Sequence, residues 1–192
     1  MSCIRKIQIG DTIYEANTDF RIAIECNRIA TDDTIDDYER VLGIICTVFG
    51  KDSIDIPEHQ EKLLKWIKNW LSRGEEIKND KPDMDYIQDY NLIWASMYGD
   101  YHGLDIDKEE IDWWKFLDLL NGLSNSEFGN CCVLNKIRNL RNIDVTKIKD
   151  NKERNEIIKA QKQFELKRNK KENNITREQE KSMQELNKIL GI

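Results

Sequence analysis

The amino-acid sequence predicts a mainly α fold: a bundle of about five to seven helices with a small N-terminal β-hairpin and a charged C-terminal helical arm. Three observations predict it. Apolar residues recur at spacings of three and four along most of the chain, which is the helical period. Strict alternation is confined to the N-terminal stretch KIQIGDTIYEA. Charge is partitioned: residues 1–135 carry 14 basic against 27 acidic side chains, a net −13, whereas residues 136–171 carry 13 against 5, a net +8. The expected organisation is a body over residues 1–150, with the hairpin at about 4–16, and an arm over 151–192, basic first and amphipathic at its end.

The hairpin rests on Ile7 and Ile9 alternating with Lys6 and Gln8, then Gly10-Asp11 as a two-residue turn. Two strands alone are marginal in water, so this pair has to lean on a helix. Asn17-Thr18-Asp19 offers capping side chains to the helix FRIAIECNRIA. Residues 33–50 place Tyr38, Val41, Leu42, Ile45, Val48 and Phe49 on one stripe. Pro57 suits a first helical position, and Leu63, Leu64, Trp66, Ile67, Trp70 and Leu71 form a third stripe that stops at Arg73-Gly74. A polar linker follows at 75–83.

Residues 84–102 gather Tyr86, Tyr90, Ile93, Trp94, Met97 and Tyr101 on one face. In DKEEIDWWKFLDLLNGLS, Asp107 and Glu110 have the spacing of a capping box, and Trp113, Phe116, Leu117, Leu119, Leu120 and Leu123 cover more than half of the helix that follows. Such a helix has neighbours on at least two sides, and the adjacent Trp113 and Trp114 let it touch both. The expectation is that this pair fills a core. Beyond it, CCVLNKIRNLR reads as a helix, and residues 151–171 as a charged helix with only Ile157, Ala160 and Phe164 in its stripe. Thr176 and Gln179 open a terminal amphipathic helix bearing Met183, Leu186, Ile189 and Leu190.

Chemistry is sparse. His59 and His102 are far apart in sequence and read as surface or loop residues, with no serine or cysteine elbow near either. No phosphate-loop, dinucleotide or H-E-x-x-H motif occurs, so no cofactor and no metal is expected. The carboxylates at Asp32, Asp33, Asp36 and Asp37, and at Asp105, Asp107, Glu109 and Glu110, fail the calcium-loop pattern: counted from Asp105, the required glycine and glutamate are Glu110 and Phe116. They read as acids at helix starts. Cys3, Cys26, Cys46, Cys131 and Cys132 lack C-x-x-C spacing and read as reduced thiols. No run is long and apolar enough to span a bilayer, and MSCIRKIQIG lacks the apolar core of a secretory signal, so the expected compartment is the cytoplasm, without membrane attachment. The aromatic face at 86–101 is interleaved with Asp85, Asp89 and Asp100, which repel phosphate, so it is not expected to bind nucleic acid. The basic arm suits a nucleic acid, an acidic membrane surface or an acidic protein partner, including another copy of this chain, or is simply a solvated face; membrane binding is the least expected, because the apolar face is too narrow for an interfacial anchor. An enzyme is not expected.

The segments DFRIAIECNRI, IWASMYGDYHGLDIDKEEIDWWKFLDLLNGLS and NIDVTKIKDNKERNEI, and above all WWKF with LLNGLS and the connector at 144–150, resemble the gene-product-fifteen family of tailed phages and prophages of Gram-positive bacteria. The likeness runs from residue 10 to about 165. It implies a gene just ahead of the tape-measure gene, and a helical tail-assembly chaperone that coats the tape-measure protein and recruits tail-tube subunits. Such a protein acts in the host cytoplasm and is absent from the finished particle. No catalytic residues come with the family. The candidate partner-binding residues are those of the arm: Ile157 and Phe164 with the basic Lys167 and Arg168, then Met183, Leu186, Ile189 and Leu190, which suit helix-in-groove docking.

Overall fold

The computed structural model describes residues 3–75, 82–125 and 131–167. They form two strands, seven α-helices and two short 3-10 helices: β1 (Ile4–Ile9), β2 (Thr12–Asn17), α1 (Phe20–Ala30), α2 (Asp37–Phe49), α3 (Pro57–Ser72), α4 (Tyr90–Asp100), α5 (Trp113–Asn121), α6 (Val133–Asn142) and α7 (Asn151–Gln163), with 3-10 turns at Lys51–Ile54 and Val145–Lys147. The fold is mainly α with one antiparallel hairpin, as the periodicities predict. It divides into two compact units. The first holds described residues 3–75 and 110–117, and the second holds 82–109, 118–125 and 131–167.

In the first unit the hairpin register pairs Ile9 with Thr12 across Gly10-Asp11. Gly10 has φ +60°, the left-handed backbone a glycine enters at no steric cost. The alternation then decides the faces: Ile9, Tyr14 and Ala16 are buried, while Ile4, Lys6, Gln8, Ile13 and Glu15 face solvent. The buried face leans on helices, as its marginal stability requires. Tyr14 packs edge-on against Phe49 of α2, and its hydroxyl lies 2.8 Å from Nδ1 of His59 on α3. His59 is therefore a half-buried anchor of the hairpin and not the surface residue its polar neighbours suggest. Asp19 caps α1, accepting from the Arg21 N–H at 3.0 Å, and Asp36 caps α2 through the Glu39 N–H at 2.8 Å. Pro57 opens α3, as expected. Arg73, in the left-handed region at φ 56°, closes it, and the Gly74 N–H returns to the Asn69 carbonyl.

Two details depart from the expected stripes. Tyr38 is exposed, while Arg40, on the opposite side, is buried because its guanidinium donates to the Asp32 and Ile35 carbonyls and pairs with Asp37. More consequentially, α5 starts at Trp113, so Asp107 and Glu110 do not form the predicted capping box. Asp112 takes the capping role, its Oδ1 accepting from the Trp114 N–H at 3.0 Å. The reason is long-range: residues 111–113 are drawn into a bridge with 18–20, in which the Phe20 N–H donates to Ile111 and the Trp113 N–H to Thr18. The Ile111 carbonyl and the Trp113 N–H, committed to that bridge, cannot also make the bonds of a helix running through from Asp107, so α5 starts only at Trp113.

The core of the first unit contains Phe20, Ile45, Leu63, Ile67, Trp70, Trp113 and Phe116. Phe20 and Phe116 stack at 4.3 Å between ring centroids, 7° from parallel, and Trp113 stacks on Phe116 at 5.8 Å. Each such side chain contributes about 1.5–3 kcal/mol by leaving water. Trp113 is core, as expected. Trp114 is only half-buried and carries the Arg5 guanidinium over its ring at 4.3 Å.

In the second unit Ile93 and Met97 of α4 are fully buried with Ile106 and Leu134, and Leu120, in α5, and Leu123, just beyond its end, are buried as well. The aromatic face expected at 84–102 is narrower as helix, since α4 starts at Tyr90 after a turn in which Asp85 accepts from Ile87 and Gln88. α6 packs on α4, where the buried Ser96 hydroxyl accepts from the Leu134 N–H at 3.0 Å and so satisfies a donor in the first turn of α6. Cys132 precedes that helix, its thiol accepting from Asn135. α7 packs on α6 without burying any residue of its own. Gln161 donates to the Leu140 and Ile143 carbonyls, both at 2.9 Å, joining the two helices.

Candidate functional site

Three groupings merit attention for function: the thiols and histidines, the joint around Asp19 and Asp112, and the end of α7.

The five cysteines are all free thiols. Burial pushes the Cys26 thiol up to about 12, with the Glu25 carboxylate adding to the effect, so this group stays protonated and inert at neutral pH. Burial likewise raises Cys3, reinforced by Asp19, Asp112 and Glu110. His102 is exposed at φ 53° in the turn after α4. Among the described residues no three His, Cys, Asp or Glu side chains lie together as a metal would need. Asp105, predicted as a helix-start acid, instead serves the turn at 105–109: it pairs with Lys108 at 2.8 Å and accepts from the Trp94 indole at 3.0 Å. Those two hydrogen bonds hold its carboxyl below the ordinary carboxylate range.

At the joint, Asp112 accepts from Thr18 Oγ1 at 2.7 Å and from the Arg5 guanidinium at 3.1 Å. Asp19 accepts from the Arg21 backbone and side chain and from the Ile111 N–H. Burial works to raise the Asp19 carboxyl, but the Arg21 hydrogen bonds outweigh it, so it lies below its usual value. An open cleft of about 420 Å³ beside this joint is lined by Cys3, Ile4, Asn17, Asp19, Arg21, Ile22 and Glu110. Within it Asp19 is already committed to Arg21 and Ile111.

The end of α7 is where the sequence placed partner-binding residues. Ile157 and Phe164 are half-buried and Lys167 is exposed. Arg168, Met183, Leu186, Ile189 and Leu190 lie outside the described residues. A feature the sequence did not signal sits here. Arg141, on α6, pairs in bidentate fashion with Asp89 at 2.7 Å for both contacts, each side chain nearly inaccessible, and also donates to the Asp83 carbonyl. Its remaining Nε–H donates to the Phe164 carbonyl at 2.7 Å. Gln88 donates from Nε2 to the Glu165 carbonyl at 2.9 Å and accepts at Oε1 from the Lys167 N–H at 2.7 Å. Exposed apolar side chains of the same unit include Ile87, Tyr98, Val133 and Ile143.

These features define a small, mainly α protein with an N-terminal β-hairpin. Among the described residues no helix is long and apolar enough to cross a membrane. The chain belongs to the phage family described as Bacteriophage Gp15 protein, whose model matches residues 2–166. The match covers the region over which the sequence resembles that family. Comparison with curated proteins and with solved structures gives no match.

Proposed function

We propose that this phage protein is a non-enzymatic tail-assembly chaperone that binds the tape-measure protein, and tail-tube subunits in turn, in the host bacterial cytoplasm, and leaves before the virion matures. The observation that carries the reading is the family match over residues 2–166, joined to what the resemblance implies about gene position. The exposed Ile87, Tyr98, Val133 and Ile143 support it, because a helical client with apolar stretches needs apolar surface to shield it. Co-expression with the tape-measure protein is the test. The client stays soluble and co-elutes with this chain on a sizing column; equal solubility with and without the chain, and no complex, ends the reading.

A second reading has one observation in its favour: Lys147, Lys149, Lys152, Lys159, Lys162 and Lys167 are all exposed. They form a basic surface suited to phosphates, tempered by Glu153, Glu156 and Glu165 in the same stretch. Nucleic-acid affinity that falls linearly with salt on logarithmic axes, and is lost on truncation after Asp150, supports this reading; absence of binding at low salt removes it. The same basic surface, with an acidic body, supports self-association, which light scattering at low and high salt detects.

A further inference from the structure

We infer that Gln88 and Arg141 form a clasp for an extended peptide, closed here on the chain's own residues 164–167, and that a partner's extended segment with an aromatic residue and a leucine two positions on takes their place.

The geometry of the Gln88 contact carries the argument. In a parallel β-ladder a residue donates to the carbonyl before its neighbour and accepts from the N–H after it. The Gln88 side-chain amide does this across Leu166: it donates to Glu165 and accepts from Lys167. Phe164 is the C-cap of α7, its N–H still donating to the Ala160 carbonyl, and from it the chain leaves Phe164 and Leu166 half-buried with Glu165 and Lys167 exposed. Arg141 supplies a third contact at the Phe164 carbonyl. Arg141 is held ready for this by Asp89 and the Asp83 carbonyl, independently of the segment it holds.

Three features make the occupant exchangeable. The atoms gripped are backbone atoms, which any chain supplies, so only the two half-buried positions select a sequence. Surface hydrogen bonds of this kind contribute little each, and no residue of α7 or of 164–167 is fully buried. The exposed Ile87 beside Gln88 offers a longer segment further apolar contact. The bound partner is thus an extended stretch of protein carrying the aromatic-x-leucine pattern of Phe164 and Leu166. This deepens the client-binding reading by naming how a client is held, and its test needs no tape-measure protein.

The probe is a fluorescent peptide with the sequence of residues 161–169, titrated by anisotropy into the full chain. The unmodified chain, occupied by its own segment, binds weakly. A full chain with Phe164→Ser and Leu166→Ser binds at least about tenfold tighter, because the tethered competitor is weakened. Adding Gln88→Ala to that chain abolishes the gain, and a peptide with serine at both apolar positions does not bind. Equal affinity in the unmodified and doubly substituted chains, or a gain that survives Gln88→Ala, overturns the proposal. Should the doubly substituted chain not fold, Gln88→Ala alone decides. It speeds exchange of the Lys167 amide hydrogen at least about tenfold if the clasp exists, and unchanged exchange overturns it.

Discussion

The indole N–H of Trp114 donates to the carbonyl of Trp70 at 2.7 Å. Its neighbour Trp113 donates to the next carbonyl, Leu71, at 3.0 Å. Both acceptors lie in the last turn of α3, whose carbonyls have no partner within the helix. Two adjacent tryptophans at the start of α5 thus close the end of another helix, while Trp113 also fills the core. Replacing Trp114 by Phe keeps an aromatic face for Arg5 but removes the pyrrole ring with its donor, and is expected to cost about 1–2 kcal/mol. Trp113→Ala, which also opens a cavity, costs about 3–5 kcal/mol. Urea denaturation reports both; a Trp114→Phe chain with an unchanged midpoint would show that the Arg73 N–H, which also donates to the Trp70 carbonyl at 3.4 Å, and water serve that carbonyl equally well.

The contrast between Trp113 and the segment before it shows what was legible in the sequence. Local rules located most elements: alternation found the hairpin, Asp19 announced its cap, Asp36 read as an acid at a helix start, and Pro57 marked another helix start. Stripes identified Ile45, Leu63, Ile67, Trp70 and Phe116 as core. Local rules failed where a distant segment competes for the same backbone. Asp107 and Glu110 have a valid capping spacing, yet residues 111–113 are occupied by 18–20. His59 and Arg141 were missed for the same reason, since a polar side chain buried by partners far along the chain has no local signature. The Gln88 contact to residues 165–167 is of this kind as well, with 77 and 79 positions separating its partners. Arg40 differs, being buried by the nearby Asp32 and Ile35 carbonyls and Asp37, a turn geometry that apolar periodicity does not report.

Asp19 links stability to pH. Its carboxyl titrates below the ordinary Asp value in the folded chain. The stabilisation it contributes is therefore fully present above the unfolded value, and is lost as pH falls through the folded one. Stability of the unmodified protein should decline from about pH 4 downward. An Asp19→Asn chain, less stable at neutral pH, should decline less steeply over that window. Asp19→Ala removes the α1 cap and the acceptor for the Ile111 N–H together, a loss of about 2 kcal/mol or more. Parallel pH profiles for the unmodified and Asp19→Asn chains in urea melts would contradict the assignment.

Asp89 and Arg141 form the one ion pair among those described in which both side chains are almost inaccessible, at 2% and 9%. Removing one partner strands the other in a poorly solvated site. Arg141→Met and Asp89→Leu are each expected to cost about 3–5 kcal/mol. The double variant should be markedly more stable than the sum of the two losses implies, since it leaves neither charge unpaired. Arg141→Met also frees the Phe164 carbonyl, so amide exchange at 165–167 should quicken in that chain and not in Asp19→Asn. Additive losses in the cycle would mean the two groups are independently solvated.

Gly122 follows α5 where a side chain has no room. A Cβ there would stand 2.7 Å from the Tyr101 hydroxyl and 3.3 Å from the Asp118 carbonyl. That hydroxyl cannot simply swing away, because it donates to the Leu119 carbonyl at 2.6 Å. Gly122→Ala is therefore expected to cost about 1–3 kcal/mol. Tyr101→Phe alone loses a hydrogen bond and costs about 1 kcal/mol. In the Gly122→Ala chain the same change removes the atom that clashes, so the two substitutions should couple favourably by about 1 kcal/mol. Recovery stays incomplete, because the Asp118 carbonyl still crowds the new methyl. Thermal unfolding of the four chains checks the sign: strictly additive losses would show that the helix end shifts to admit the methyl without disturbing Tyr101.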